Sequence, residues 1–409
     1  MNAVTDVKGW CPGILRPMAS GDGLIVRVRP RCGAFSLETA TALADLAERL
    51  GNGHIDLTRR ANLQIRGVTD DDLPRLQIAL AKLGLLDPDA GTEAVRNVMV
   101  APLAGLDPAQ PFDVRPIALA IDDALTSDRR LHALPGKFGL LVDGGGAISI
   151  ASERADICLA AAGDALAFGL DTAKGTQWLG VLPPGQAAEA AVAAAHVFLA
   201  VATRGRMRGL GEAAFAEVQA AVASRLSPLA GLPPAGGRRL GLLPGAVGIA
   251  APFGRLEANQ LRQLVKLAAD AGAADLRLSP WRTVYFSVRE DAGMFVLEEA
   301  RDAGLIVEDN DPVLQVEACP GAPDCKSSSV DARSDARRLA TIAAVRGWQG
   351  SIHVSGCAKG CARSLPSELV LAGKAGAYRL IRNATTRGPV ERMIGIEEFE
   401  SLFDERRND

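Results

Sequence analysis

The chain has 409 residues, 48% of them hydrophobic, 23% charged and only 4% aromatic. That length exceeds what one core organises, so about two to four domains are expected. A formal net charge of −3 excludes a dominant nucleic-acid footprint and sets nucleic acid aside as a partner.

At the start, "MNAVTDVKGWCPG" has no apolar signal core. The longest apolar run, "AAVAAAHVFLAVA", contains His196, is too short to span a bilayer and reads as a buried amphipathic helix. The expectation is therefore a cytoplasmic protein without a membrane segment, where structural disulfides are rare. Of the seven cysteines, Cys11, Cys32 and Cys158 stand singly and read as small hydrophobes.

Residues 24–67 read as strand, helix, strand. The helix starts at Ser36 as N-cap, carries Leu43, Leu46, Ala47 and Leu50 on one face and stops at Gly51. In "LIVRVRPR" the strand period sends Arg27, Arg29 and Arg31 one way and Val26 and Val28 the other. In "TRRANLQIRG" it gathers Arg60, Asn62, Gln64 and Arg66 on a single face. A solvated outer face explains either strand alone. Two neighbouring strands lined this way suit a flat ligand edged with carboxylates, such as a tetrapyrrole with acetate and propionate arms, because arginine pairs with carboxylate bidentately.

Further on, "RNVMVAPLAG" reads as a strand leading into a helix over 114–127. The strand "KFGLLV" follows, and "DGGG" at 143–146 reads as a hairpin turn rather than a phosphate loop. The Pro/Gly-rich stretch at 227–245 marks a boundary between two halves. Beyond it the first half recurs at an offset of 221 residues. Val26 matches Val247, Gly33 matches Gly254, and Leu43, Leu46, Ala47, Gly51 and Leu57 match Leu264, Leu267, Ala268, Gly272 and Leu278. The last segment gives the strand "VLQVEAC", a helix over 329–345, the strand "SIHVSGC" and a hairpin around "LAGKAGAY". The domains expected are 1–80, 90–225, 235–300 and 305–409.

Four cysteines cluster in this last segment. Cys319 and Cys325 are spaced C-x5-C; Cys357 and Cys361 follow as C-x3-C after thirty-one residues. Both pairs come after a strand, and the strands are joined by one helical crossover, which places both loops at the same sheet edge. Four thiolates suit a tetrahedral metal or an iron–sulfur cluster; the spacings are looser than usual structural-zinc pairs and favour the cluster. The four histidines show no 2-His-1-carboxylate pattern, so no ligands of a mononuclear iron are legible. No Walker or dinucleotide fingerprint stands out.

C-x5-C followed by "SGC-x3-C" in a duplicated chain resembles the sirohaem-dependent nitrite and sulfite reductase superfamily. The resemblance covers nearly the whole chain. It implies an internally duplicated α+β / α/β fold: two ferredoxin-like βαβ half-units plus two three-layer α/β domains. It also implies a four-iron, four-sulfur cluster on Cys319, Cys325, Cys357 and Cys361, the last bridging to a sirohaem iron in the reductases. "LTRRANLQIRG", "RNVMVAPLAG" and "LPGKFGLLV" resemble the segments whose anion-binding residues would here be Arg60, Arg96 and Lys137. Arg27, Arg29, Gln64 and Arg66 are then expected to bind substrate carboxylates.

Departures select a branch. Gly139 stands where the reductases carry a second lysine or a polar residue, and Lys359 replaces their asparagine. "SGCAKGCA", "CPGAPDC" and "APFGRLEANQL" look most like the precorrin-3B synthase family. That resemblance implies an oxygen-dependent monooxygenase of aerobic cobalamin biosynthesis, with precorrin-3A as substrate. It would be hydroxylated at C20 with closure of a γ-lactone. Dioxygen and reducing equivalents would be co-substrates, and a mononuclear non-haem iron stays open. An external flavin or ferredoxin reductase fed by NAD(P)H would be the electron donor, and a monomer is expected. Sirohaem belongs to the alternative, an assimilatory sulfite or nitrite reductase; a non-enzymatic iron–sulfur tetrapyrrole-binding protein is the third reading. "CARSLP" follows the last cysteine where His-Pro is expected, so positions 363 and 364 receive no role.

Overall fold

The computed structural model describes residues 11–202, 205–363 and 365–403. It divides into two compact units, one built from 24–307 with 11–18 and the other from 308–403 with 19–23.

The first ferredoxin-like half contains β1 (Met18–Ser20), β2 (Gly23–Val28), β3 (Ala34–Ser36), α1 (Leu37–Leu50), β4 (His54–Leu57), β5 (Leu63–Val68) and α2 (Leu73–Lys82). Ser36 caps α1 as its sequence signals: its hydroxyl accepts from Thr39 N at 3.1 Å. Leu43, Leu46, Ala47 and Leu50 form the buried stripe. β2 and β4 are both antiparallel to β5 and flank it, which makes a split βαβ unit.

The first α/β domain follows with α3 (Ala90–Val95), β6 (Val98–Val100), α4 (Arg115–Ser127), β7 (Leu140–Asp143), β8 (Ile157–Ala162), β9 (Ala165–Thr172), β10 (Gly175–Leu182), α5 (Ala187–Val201) and α6 (Glu212–Ala223). Its sheet runs β10-β9-β8-β7-β6. α5 is the Ala-rich segment, with Ala187, Ala190, Ala191, Ala194, Ala195 and Phe198 turned into the core. "DGGG" is not a hairpin turn. β7 and β8 pair in parallel, so Gly144–Gly146 open a long return loop, with Gly145 and Gly146 in the left-handed region (φ 69° and 82°).

The second ferredoxin-like half repeats the first: β11 (Gly241–Leu243), β12 (Ala246–Ala250), β13 (Arg255–Glu257), α7 (Ala258–Asp270), β14 (Asp275–Leu278), β15 (Thr283–Ser287) and α8 (Gly293–Asp302). The repeat extends to backbone conformation. Cys32 and Phe253, 221 apart, have φ of 51° and 54°; Ala61 and Arg282, also 221 apart, have 51° and 61°. The halves are not self-contained, however. β13 joins the sheet of the first half (β1-β2-β5-β4-β13) and β3 joins that of the second (β11-β12-β15-β14-β3). α1 and α7 share one core in which Leu43, Leu264, Val26, Ile65 and Phe286 are buried, each large side chain contributing about 1.5–3 kcal/mol by leaving water.

The second α/β domain comprises β16 (Val316–Ala318), α9 (Ala332–Val345), β17 (Ile352–Ser355), β18 (Ser367–Lys374), β19 (Ala377–Ala384) and β20 (Arg392–Ile394). Its sheet order, β16-β17-β18-β19-β20, reproduces that of the first α/β domain. β18 and β19 form the expected hairpin, turning at Ala375 (φ 52°) and Gly376 (φ 81°).

Candidate functional site

β16 and β17 are parallel neighbours, so the segments after both emerge at one sheet edge, as the α/β crossover requires. Cys319 follows β16 directly and its N–H donates to Val354 O at 3.2 Å. Cys357 follows β17, where Ser355 Oγ donates to its carbonyl at 2.8 Å. The loops fit closely through glycine. A Cβ on Gly356 would meet Ser328 Oγ at 2.2 Å, and one on Gly321 would meet Ala332 N at 2.4 Å. Gly356 N donates to Cys319 Sγ at 3.0 Å.

Burial pushes the Cys319 thiol up, against hydrogen bonds from Gly356, Gly321 and Ser355 that favour the thiolate. Cys361 is exposed as a residue, yet partial desolvation is the first cause raising its thiol, followed by the charges of Cys319, Cys357 and Cys325; Lys359 opposes them. The other three sulfurs thus lie within electrostatic reach of Cys361. As they stand, neither these four nor any other group of three or more His, Cys, Asp or Glu among the described residues meets the spacing for a single metal ion. Arg363 Nη1 pairs with Glu317 Oε1 at 2.7 Å, tying the C-x3-C loop back to β16. Ser364 lies outside the described residues.

The arginine-rich strands lie in the other unit. Arg27 faces Gln64 across the β2–β5 pair; with the amide turned to offer its oxygen, Gln64 accepts from Arg27 Nε at 3.2 Å and Nη2 at 2.9 Å. Arg29 is 5% exposed, sits 3.3 Å from Glu93 Oε1 and donates to Pro12 O. Burial holds it down to about 10, still a cation at neutral pH. Arg31 lies beyond β2 and pairs with Asp122 and Asp123. Arg60 and Asn62 are not on a strand. Ala61 adopts a left-handed conformation and Thr58 N donates to Asn62 O, so residues 58–62 make a turn and the strand period begins at Leu63.

Arg60 Nη1 donates to Arg154 O at 3.3 Å. Burial lowers its pKa, helped by the nearby Arg206 cation. Arg66 is buried and ion-paired with Asp56 at 3.2 Å; Arg255 from β13 claims the same carboxylate at 2.7 Å. Arg96 is held by Asp87 at 2.8 Å and Asp122 at 3.5 Å, and donates to Arg29 O. Lys137 is exposed. Gly139 is pinned by its N–H to Asp156 at 2.8 Å, and Arg206 clamps Asp156 in turn at 2.6 Å. A Cβ on Gly139 would stand 3.1 Å from Arg60 Nη1. A cleft lined by Arg60, Asn62, Arg96, Asn97 and Met99 opens beside this group.

Sequence reasoning missed the acidic partners Glu93, Asp87, Asp122 and Asp156, which no local pattern announces, and it placed Cys11 among the core hydrophobes. The structure instead places Cys11 within electrostatic reach of Arg27. Arg282, the second-half counterpart of Ala61, covers Gly254, where a Cβ would fall 2.3 Å from Arg282 Cδ. The counterpart of Arg60 is Trp281, whose Nε1 donates to Glu153 at 2.7 Å.

Comparison with known proteins bears on this arrangement. Residues 16–83 and 245–294 match the nitrite/sulfite reductase ferredoxin-like half domain, and 91–167 match the nitrite and sulphite reductase 4Fe-4S domain. A precorrin-3B synthase from Sinorhizobium sp is 31% identical over 93% of this chain and 84% of its own length. The chain belongs to the precorrin-3B synthase branch of the nitrite/sulfite reductase superfamily. Nitrite reductases of the superfamily match as well. A ferredoxin–nitrite reductase from Synechococcus elongatus is 35% identical over 36% of this chain and 30% of its own. A chloroplastic one from Oryza sativa subsp. japonica is 25% identical over 94% and 76%. The solved structure of the Mycobacterium tuberculosis NirA protein superposes with a TM-score of 0.72 at 19% identity, covering 93% of this chain and 79% of that one, which shows the shared fold. In this precorrin-3B synthase relative the 4Fe-4S family match falls on the first α/β domain, whereas the four clustered thiols belong to the second.

Proposed function

We propose that this chain converts precorrin-3A to precorrin-3B with dioxygen, hydroxylating C20 and closing a γ-lactone, in aerobic cobalamin biosynthesis. The observation that carries this reading is the pair of partly buried guanidiniums, Arg27 and Arg60, that have no carboxylate within ion-pair distance among the described residues. A buried cation without a counter-ion is costly, so such a pair calls for an anionic ligand, and a carboxylate-edged macrocycle supplies several anions. Arg27, Arg29, Arg60 and Lys137 are assigned to the substrate's carboxylates or the bound oxygen species, and Gln64 orients Arg27. Arg66 and Arg96, saturated by Asp56, Asp87 and Asp122, hold that array in shape.

Gly139 favours this branch over a sulfite or nitrite reductase. A side chain there would press on Arg60, so the second cationic group that an inorganic anion on iron requires is missing.

Cys319, Cys325, Cys357 and Cys361 would hold a four-iron, four-sulfur cluster. Their convergence, and the amide donors on Cys319, fit it; a cluster with its own sulfides spans a wider gap than a single ion. Such a cluster supplies one-electron transfer. The chain's part is to desolvate the thiols, donate hydrogen bonds to the sulfurs and tie two distant loops together. No ligand set for a mononuclear iron emerges among the described residues. Reducing equivalents are assigned to an external flavin or ferredoxin reductase, and the protein to the cytoplasm as a monomer; among the described residues no helix is long and apolar enough to cross a membrane.

Protein purified without air should show a broad brown absorption with stoichiometric iron and sulfide; strong sirohaem bands would overturn the reading. Changing Cys361 to serine should cripple the cluster as severely as changing Cys319, Cys325 or Cys357, with loss of precorrin-3B formation. Full turnover by a cluster-free Cys361→Ser protein would refute the assignment.

A further inference from the structure

The segment after Cys11 is fastened from several directions. Glu93, 4% exposed, accepts from Ile14 N and from Leu15 N at 3.1 Å. Gln77 Nε2 donates to Ile14 O at 2.9 Å, and Arg29 Nη2 to Pro12 O at 3.2 Å. The carboxylate lies against the segment so closely that a Cβ on Gly13 would sit 2.3 Å from Glu93 Oε2. This anchoring holds Cys11 among the arginines. Its sulfur lies within electrostatic reach of Arg27, Arg29 and Arg60, and the next residue, Pro12, is hydrogen-bonded directly to Arg29.

Two features distinguish this thiol from a packing residue. Of the guanidiniums around it, Arg29 alone is ion-paired among the described residues, with Glu93, while Asp156 near Arg60 is clamped by Arg206, so positive charge is in surplus. The nearly buried Arg29 also has an Nε–H with no acceptor. A buried donor without an acceptor is a cost that a bound anion would remove.

We propose that Cys11 is a substrate-contacting residue of the arginine site: its sulfur stands beside Arg27 and touches the ligand carboxylate that Arg27 takes. The proposal rests on the tetrapyrrole reading above. A thiol held by guanidiniums should also draw anionic electrophiles preferentially, because the local field raises their encounter rate.

The test alkylates the whole, anaerobically purified protein with iodoacetate or iodoacetamide. In either reaction the thiolate sulfur displaces iodide and forms a thioether. Peptide mass spectrometry then follows Cys11 beside Cys32 and Cys158. Expected is an iodoacetate-to-iodoacetamide rate ratio at Cys11 at least about tenfold above that of free cysteine, reduced in Arg27→Gln. Uroporphyrin, an octacarboxylate tetrapyrrole whose binding is read by fluorescence, should slow the labelling of Cys11. Cys11→Ala should weaken uroporphyrin binding about 2- to 10-fold, the worth of one hydrogen bond, without lowering the melting temperature. A rate ratio equal to that of free cysteine, or uroporphyrin that binds without protecting Cys11, overturns this proposal alone. Uroporphyrin that does not bind at all overturns the tetrapyrrole reading together with it.

Discussion

Arg60 and Arg66 sit six positions apart on the same hairpin, and the function proposed above gives them opposite tasks. Arg60 stands in a left-handed turn with a backbone carbonyl as its partner, so Arg60→Ala should weaken tetrapyrrole binding by about 1.5–3 kcal/mol and leave denaturant stability unchanged. Arg66 is committed to Asp56. Arg66→Ala should therefore lower stability by about 1–3 kcal/mol with little effect on affinity. Isothermal titration with uroporphyrin and urea unfolding separate the two; matching effects at both positions would mean that the ion pairs do not sort these residues. The strand period had put both on one face, and it failed at Arg60 because the backbone reverses at Ala61, which carries no turn-forming side chain. The thiols divide in a similar way. Burial pushes Cys32 and Cys158 up to about 11, so below that pH they stay protonated and unreactive. Alkylation at pH 8 should leave both intact for hours, and modification of Cys158 would show that the first α/β domain opens readily.

Among the elements, α1 was legible residue by residue. Its cap and apolar stripe are local signals, and burying that stripe is what the fold rewards. The cysteine loops were equally legible, since strand, crossover and strand must return to one sheet edge. β3 and β13 were not. Each is three residues long, and each finds its pairing partner in the other copy, as Arg255 does with Asp56 and Leu276 with Phe35. No window of sequence contains that information. Nor did the loop opened by "DGGG" reveal itself, because a parallel return and a hairpin begin with the same glycines. The exchange places Asp56 between Arg66 and Arg255 in a nearly buried triad. Removing the shared carboxylate breaks both ion pairs at once, so Asp56→Ala should cost about 3–5 kcal/mol in urea unfolding. A loss below about 1 kcal/mol would mean that water replaces the carboxylate at little cost.

For the molecule as a whole, the exchanged strands tie its two halves into one folding problem. Fragment 1–226 produced alone would expose the edge of β4 and leave β3 without a partner, and an open edge invites aggregation. It should aggregate, whereas co-production with 227–409 should yield a soluble heterodimer by size-exclusion chromatography; a monodisperse, cooperatively melting 1–226 would contradict this. The same reciprocity bears on ancestry. Two like chains trading one strand each form a symmetric homodimer, and joining their ends yields this topology without moving a single contact. In such an ancestor every change struck both equivalent surfaces at once. After fusion each surface answers to its own codons, and the copies have parted: at the turn where one keeps Arg60, the other keeps Trp281 bound to Glu153. On the reading proposed above, covalent linkage would thus free one surface to specialise in ligand while its twin turns to holding the protein together.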